Sequence, residues 1–315
     1  MKIHLLILFS ALSFLSNAQF TTTIVDTNFE NYLETHDGNG LSVLVGDPSS
    51  MGNGILLDST VLTANITTVD SLDVSYHNIS DLSGIENFSS LKYLKCSNNN
   101  IDSLNLNSND LIKELYCSSN NLLILIIDNL NDLDVLDCSF NNLSALNLPQ
   151  NNELDSLICY NNQLNTLDLN GNINLAYLYC GMNNLTSLDL SPLYLFGGIS
   201  ELECQNNPIT SINISGNTSL KHLSCHNNML QEIDLSDNYN LHWLSIGNNL
   251  LFTNYNNLTF LDLSYNQNIT NFYCSGNMNL YCIQVYDTIQ TSGWIDDIDP
   301  HQYYSDNCNL SNVNN

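Results

Sequence analysis

From Leu72 onward, apolar and polar positions recur in a fixed order. Leu154-x-x-Leu157-x-Cys159-x-x-Asn162-x-Leu164-x-x-Leu167-x-Leu169 is matched residue for residue by Leu175-x-x-Leu178-x-Cys180-x-x-Asn183-x-Leu185-x-x-Leu188-x-Leu190. Cysteines mark the period, at Cys96, Cys117, Cys138, Cys159, Cys180, Cys204 and Cys225, in steps of 21 with one of 24. Val74 ahead of Cys96, and Ile246 between Cys225 and Cys274, fill the same position and complete ten units. The step of 24 from Cys180 to Cys204 and the step of 28 from Ile246 to Cys274 contain insertions, around Pro192 to Gly198 and around Phe252 to Asn257. Alternation in Leu-x-Cys aims both side chains to one side of a strand, and a constant period stacks such strands in parallel about 4.8 Å apart. One unit buries too little to be stable alone, so neighbours must share a continuous core. The second apolar pair, such as Leu167 and Leu169, returns along the opposite wall. Its segment is too short for a helix, and Asn, Ser and Asp favour turns there. The pattern predicts a mostly β solenoid.

These residues resemble the leucine-rich repeat family, and within it the bacterial 21-residue type in which L-x-x-L-x-C-x-x-N-x-L-x-x-L-D-L recurs. The first unit, from Leu72-Asp73-Val74 through Asn78 to Ile85, is similar to the 22-residue type of internalin-like surface proteins. The resemblance covers about residues 65 to 280. It implies a curved right-handed solenoid with a parallel concave sheet. It implies no particular activity, because the family is defined by shape and serves many partners.

Asparagine stands three places after each core residue from Cys96 onward, at Asn99, Asn120, Asn141, Asn162, Asn183, Asn207, Asn228, Asn249 and Asn277. Each sits where the strand must turn, and a carboxamide can satisfy both backbone donors and acceptors there, or a neighbouring copy of itself. The first unit departs from this rule with His77. The repeat cysteines lie a full unit apart, without the clustered spacing of a metal site, and Ile246 and Val74 replace them without compensation. They read as small buried hydrophobes. Parallel neighbours are also wider apart than the usual disulfide separation of about 3.8 Å between Cβ atoms.

Both ends of a solenoid need covers. Met1 to Ala18 has a short apolar run ending in Ser16-Asn17-Ala18, the form of a signal peptide, too short to span a bilayer, which takes about 20 apolar residues. Residues 19–64 read as an N-terminal cap. Its helix over 26–36 presents Phe29, Tyr32 and Leu33 on one face, with Thr27 and Glu30 as a capping box, followed by a glycine-rich turn region. Residues 65–279 form the repeats, 280–308 the C-terminal cap and 309–315 a tail. In the last cap Leu280-x-x-Ile283-x-Val285 supplies a final strand, and Trp294, Ile295 and Ile298 plug the opening. Cys282 and Cys308 leave the repeat register, and in an exported chain they read as a disulfide. Similar flanking segments in secreted repeat proteins of Bacteroidota point to that phylum. The C-terminal anchoring domain frequent in that group does not follow Cys308, so a secreted or surface-exposed monomer is expected.

Composition narrows the function. Only 12% of the residues are charged, Asn supplies 54 of 315, and five lysines with no arginine face 32 acids for a net charge of -27. That surface repels phosphate backbones and anionic membranes, which excludes nucleic acid as a partner. No nucleophile elbow, P-loop or zinc signature occurs. A carboxylate pair such as Glu201 and Glu203 beside His222 is the one arrangement from which a hydrolytic site could be built, and chance pairing on a sheet produces it readily. Asp296, Asp297, Asp299 and Asp306 form the densest acidic cluster, of the oxygen-rich kind calcium takes, without the glycine and glutamate of an EF-hand loop. No cofactor is expected.

The outward strand positions carry an aromatic band: Tyr93, Tyr116, Tyr160, Tyr177, Tyr179, Trp243 and Tyr273, with Asp137, Glu201, Glu203 and His222 among them. Lys95, Glu114, Val135, Ile158 and His226 share these columns. Tyr and Trp offer large amphipathic area at low entropic cost, so the band reads as a non-catalytic binding face for an extracellular protein, with a glycan as the alternative.

Overall fold

A computed structural model describes residues 20–248 and 254–308, with no side-chain detail for 194–196. The signal segment 1–18 and the tail 309–315 lie outside the described residues. Three-residue strands, one per unit, build an eleven-stranded parallel sheet. It runs from Ser71–Asp73 through Tyr93–Lys95, Glu114–Tyr116, Val135–Asp137, Ser156–Ile158, Tyr177–Tyr179, Glu201–Glu203, His222–Ser224, Trp243–Ser245 and Asn271–Tyr273 to Ile295–Asp297. Every pair is in register, as in Tyr177 beside Glu201 and Glu201 beside His222. The opposite wall pairs only in patches: Ser103–Asn105 with Ile124–Ile126, Ser187–Asp189 with Ser211–Asn213, and Leu261–Asp262, Cys282–Gln284 and Tyr303–Ser305 together. Continuous pairing on one wall and broken pairing on the other make the eleven-stranded face the concave one.

The core is the repeat pattern itself. All eight repeat cysteines are buried free thiols, in a column with Val74 and Ile246. Burial pushes the Cys96 thiol up to about 12 and raises the other seven too, which suits packing and not thiolate chemistry.

Each buried asparagine bridges two turns of chain. Asn141 donates through Nδ2 to the carbonyls of Cys117 at 3.0 Å and Cys138 at 3.1 Å, while its Oδ1 accepts from Leu122 N at 3.0 Å. The amides serve the backbone and not one another. In the unit of Ile246 that place is held by Asn256, which donates to the carbonyls of Cys225 and Ile246 and accepts from Leu230 N. The sequence assigned this rung to Asn249, which lies outside the described residues. The insertion precedes the turn, so register is kept with Leu258, Leu261 and Leu263 behind it and not with Ile246 ahead.

A second asparagine ladder, which the sequence reading missed, lines the other turn. Asn109, Asn151, Asn172, Asn217, Asn238 and Asn266 are all at most 2% exposed. Asn238 donates to the carbonyls of Ile214 and Asn217, and Asn266 to those of Leu235 and Asn238. These residues stand three places after Leu106, Leu148, Leu169, Ile214, Leu235 and Leu263, the same offset as in the first ladder.

The N-terminal cap packs the helix Thr27–Thr35 through Phe29, Tyr32 and Leu33, all buried. Its N-cap is Asp26 and not Thr27: Asp26 Oδ1 accepts from the amides of Asn28 and Phe29, and Oδ2 from the amide and hydroxyl of Ser80 in the first unit. Glu30 does not reach back to close a capping box. It is buried and accepts from the amides of Asp58 and Ser59. Gly84, at φ +103°, lets the first unit approach the cap, since a Cβ there would lie 2.4 Å from Ile24 Cδ1. His77 holds no ladder place and meets the Tyr32 ring edge-on at 4.8 Å.

At the other end Cys282 and Cys308 form a disulfide. The segment Leu280 to Val285 is the return half of the tenth unit, its strand lying on the outer wall. Ile295–Asp297 instead supplies the eleventh strand of the concave sheet. Trp294 packs edge-on to Phe272 and Tyr304, and Ile298 lies against the core, whereas Ile295 is 64% exposed and plugs nothing.

Candidate functional site

A period of two along each strand leaves the first and third residues of every triplet on the open concave face, with the next column one residue beyond the core position. Tyr93, Glu114, Val135, Tyr177, Glu201, His222 and Trp243 fall in the first column, and Lys95, Tyr116, Asp137, Ile158, Tyr179, Glu203 and Tyr273 in the second. Tyr160 and His226 follow in the third. The residues picked from the sequence as outward-facing therefore stand on this face, and each is half-buried or exposed.

The rings do not form one band. Strands Val135–Asp137 and Ser156–Ile158 carry none, so the aromatic residues divide into groups. The densest spans three adjacent strands. His222 and Trp243 stack at 5.3 Å and 9°, and Trp243 meets Tyr273 at 5.1 Å and 40°. Beside them, Tyr179 Oη donates to Glu201 Oε2 at 2.8 Å and Gln205 Nε2 to Glu203 Oε2 at 3.3 Å. His222 Nε2 lies 3.9 Å from Glu203 Oε1. His226 accepts or donates at Nδ1 to the hydroxyls of Ser224 and Ser245 at 3.0 and 3.2 Å. Burial holds the His226 imidazole below its usual range, against the opposing pull of the Glu203 charge. Burial and the carboxylate of Glu201 raise the Tyr179 phenol, and burial with Glu203 does the same to Tyr160.

At the N-terminal end of the face, Tyr116 Oη donates to Glu114 Oε2 at 3.1 Å, and the Lys95 ammonium sits 5.4 Å from the Tyr116 ring centre. Tyr160 lies over Gly181, where a Cβ would come within 2.9 Å of its ring. Phe140 joins Tyr160 at 5.6 Å, 50% exposed and at φ +53°. The sequence reading passed over Phe140. Its left-handed position is filled by Asn98, Asn161, Asn206 and Asn227 in four units, by Ser119 and Met182 in two others and by Tyr76 in the first, so the sequence pattern alone does not single Phe140 out.

The charges are uneven. Asp73, Glu114, Asp137, Glu201, Glu203 and Asp297 occupy the strand positions of the face, against Lys95 alone. Lys92 and Lys113 flank the same end as Lys95, and Lys221 lies at the strand edge beside Ser200 and Asn240. The acidic residues of the last cap are drawn into holding it: Asp296 accepts from Tyr304 Oη, Asp297 from Ser275 Oγ and Asp299 from Gly276 N. Among the described residues no three His, Cys, Asp or Glu side chains are grouped to hold a metal ion, and no helix is long and apolar enough to cross a membrane.

The fold is that of the leucine-rich repeat proteins. No protein-family model and no curated protein sequence matches the chain. Among solved structures it is similar to the functional domain of InlJ from Listeria monocytogenes, described as including a cysteine ladder, at a TM-score of 0.60 and 24% identity over 90% of this chain and 70% of that one. It is similar to YopM from Yersinia enterocolitica, at 0.54 and 24% over 74% of this chain and 49% of the other. A third is TLR13 in a complex with ssRNA13, at 0.54 and 20% over 68% and 33%.

Proposed function

We propose that this chain is an exported, non-catalytic recognition protein that binds another protein through its concave sheet. The observation that carries this reading is the run of His222, Trp243 and Tyr273 across three adjacent strands of a face that no other described element covers. Large rigid side chains held in place before binding cost little entropy when a partner arrives. The disulfide of the last cap supports an oxidising, extracytoplasmic location. TLR13 is described in complex with RNA, but six carboxylates against one lysine on this face oppose a phosphate chain.

Ring geometry favours protein over glycan. A sugar stacks on an open ring face, whereas Trp243 has His222 on one side and Tyr273 on the other, leaving mainly ring edges outward. Catalysis has no comparable support, because one oxygen of each carboxylate, Glu201 and Glu203, is already held by a neutral donor. The test is the triple substitution Tyr177→Ser, Tyr179→Ser and Trp243→Ser, assayed by capture from extracellular protein mixtures and on a glycan array. Loss of protein capture with an unchanged circular dichroism spectrum supports the reading. Capture that survives, or binding confined to glycans, overturns it.

A further inference from the structure

We infer that the partner presents a basic segment, and that its Lys or Arg side chains seat on the box formed by Glu201, Glu203, Tyr179, Gln205, His222 and Trp243. This rests on the protein-recognition reading above and names the chemistry of its ligand.

Three independent features of the box converge. Glu201 and Glu203 flank Leu202 in one triplet, so both carboxylates stand on the same side of one strand. Each has one oxygen occupied, Glu201 Oε2 by the Tyr179 hydroxyl and Glu203 Oε2 by the Gln205 amide, and among the described residues the Oε1 atom of each meets no hydrogen-bond donor. The His222 imidazole, 3.9 Å from Glu203 Oε1, falls short of hydrogen-bond distance. Two preoriented acceptors are thus left open side by side, held by neutral donors that do not cancel their charge.

Gln205 supplies the second feature. It is only 9% exposed, it is directed at Glu203 through Nε2, and its Oε1 is buried without a partner. The amide grips Glu203 Oε2 from a buried position, which fixes the carboxylate and leaves its Oε1 as the free acceptor.

The third is charge. Three of the four lysines in the described chain, Lys92, Lys95 and Lys113, lie at the far N-terminal end, and Lys221 is turned to the strand edge among Ser200, Ser219 and Asn240. The field at Glu201 and Glu203 is therefore uncompensated on the face, and it is felt by the Tyr160 and Tyr179 phenols. A guanidinium or ammonium brings several donors to the two free oxygens, and charged hydrogen bonds of this kind are about twice as strong as neutral ones.

The experiment uses fluorescein-labelled alternating peptides, arginine-glycine, lysine-glycine, serine-glycine and glutamate-glycine, read by anisotropy against the full chain at low and physiological salt. The expected result is binding of the two basic peptides that falls with salt, and at least a tenfold loss in the Glu201→Gln, Glu203→Gln double variant. Both glutamines keep the shape and can still accept from Tyr179, so folding is checked by circular dichroism. Asp168→Asn with Asp234→Asn, two exposed acids of the outer wall, is expected to stay within twofold. An equal loss in that control, or basic peptides binding no better than serine-glycine, overturns the inference. A partner whose capture is lost on Trp243→Ser but is unchanged in the glutamine variant would leave the recognition face standing and remove only the basic ligand. A partner insensitive to both would remove the two together.

Discussion

Asn162→Ala tests the claim that the asparagine ladder, and not strand pairing alone, holds successive turns together. Asn162 Nδ2 donates to Cys138 O at 3.0 Å and Cys159 O at 3.2 Å, and its Oδ1 accepts from Leu143 N at 3.0 Å. Truncation leaves Leu143 N without a partner and takes one of two asparagine donors from each carbonyl, since Asn141 still reaches Cys138 O and Asn183 still reaches Cys159 O, at a site where Asn162 itself is 8% exposed. An orphaned buried group costs about 1–3 kcal/mol, so the variant loses roughly 1–3 kcal/mol where water does not enter. Because each repeat contacts only its neighbours, the loss falls on the junction between the units of Cys138 and Cys159 and weakens coupling across it. Both tryptophans, Trp243 and Trp294, lie on the C-terminal side of that junction. Urea unfolding followed by tryptophan fluorescence reports that side, and circular dichroism reports the whole chain. The expected outcome is a lowered midpoint by both probes, with the two curves separating in the variant and coinciding in the parent. Asn165→Ala, at an exposed position, is the control and is expected to change stability by less than about 0.5 kcal/mol. An Asn162→Ala protein as stable as that control, with superimposable curves, would refute the reasoning.

Three further outcomes follow from the packing. The eight repeat thiols are buried and raised in pKa, so the folded protein should give essentially no reaction with a thiol reagent at neutral pH and eight equivalents on denaturation; Cys159→Val should cost under about 1.5 kcal/mol because the column already accepts Val74. Asp26→Ala removes a helix N-cap and the tie to Ser80 together, with an expected loss of about 2 kcal/mol or slightly more and faster amide exchange across residues 27–35. His226 is held below its usual pKa by burial, so the unfolded chain binds the proton more readily: the stability His226 contributes is present above about pH 6.5 and is lost as pH falls through its folded value. The slope of urea midpoint against pH in that window should shrink in His226→Gln, and an unchanged slope would assign the effect elsewhere.

The interior was legible because every turn must solve the same problem with the same atoms. Leu-x-Cys and its offset asparagine repeat for that reason, and the Cys282–Cys308 disulfide stood out by leaving the register. The second ladder obeyed the same rule and went unread only because Ile127 and Leu190 are followed at that offset by Leu130 and Leu193, which breaks the column. Asn249 misled because an insertion can be counted from either side, and only the spacing to Leu258 shows which side the chain keeps. Ile295 misled because an apolar residue at a chain end reads as a plug, whereas its strand register turns it outward.

The concave face obeys a different logic, and this is why it carries the functional argument. Sheet geometry dictates which residues point outward and is indifferent to what they are, so serines in one unit and tyrosines in the next satisfy the fold equally. Ser97 and Ser118 simply bond each other at 3.0 Å, whereas four strands further along the same scaffold carries Tyr177, Tyr179, Glu201 and Glu203. The residue types were readable from the chain, but their grouping was not, because it depends on side-chain torsions: whether Trp243 turns toward His222, or Tyr179 toward Glu201, is settled by neighbours one unit away. Tyr and Trp also favour strands for packing reasons, so their presence alone is weak evidence of a binding surface. What a sheet built for binding can carry at a cost is a pair of adjacent like charges, such as Glu201 and Glu203, each with one oxygen that no described donor meets. A sheet built only for stability gains nothing from that pair, and replacing Glu201 and Glu203 by glutamine should then stabilise the free protein slightly while weakening its hold on a basic ligand.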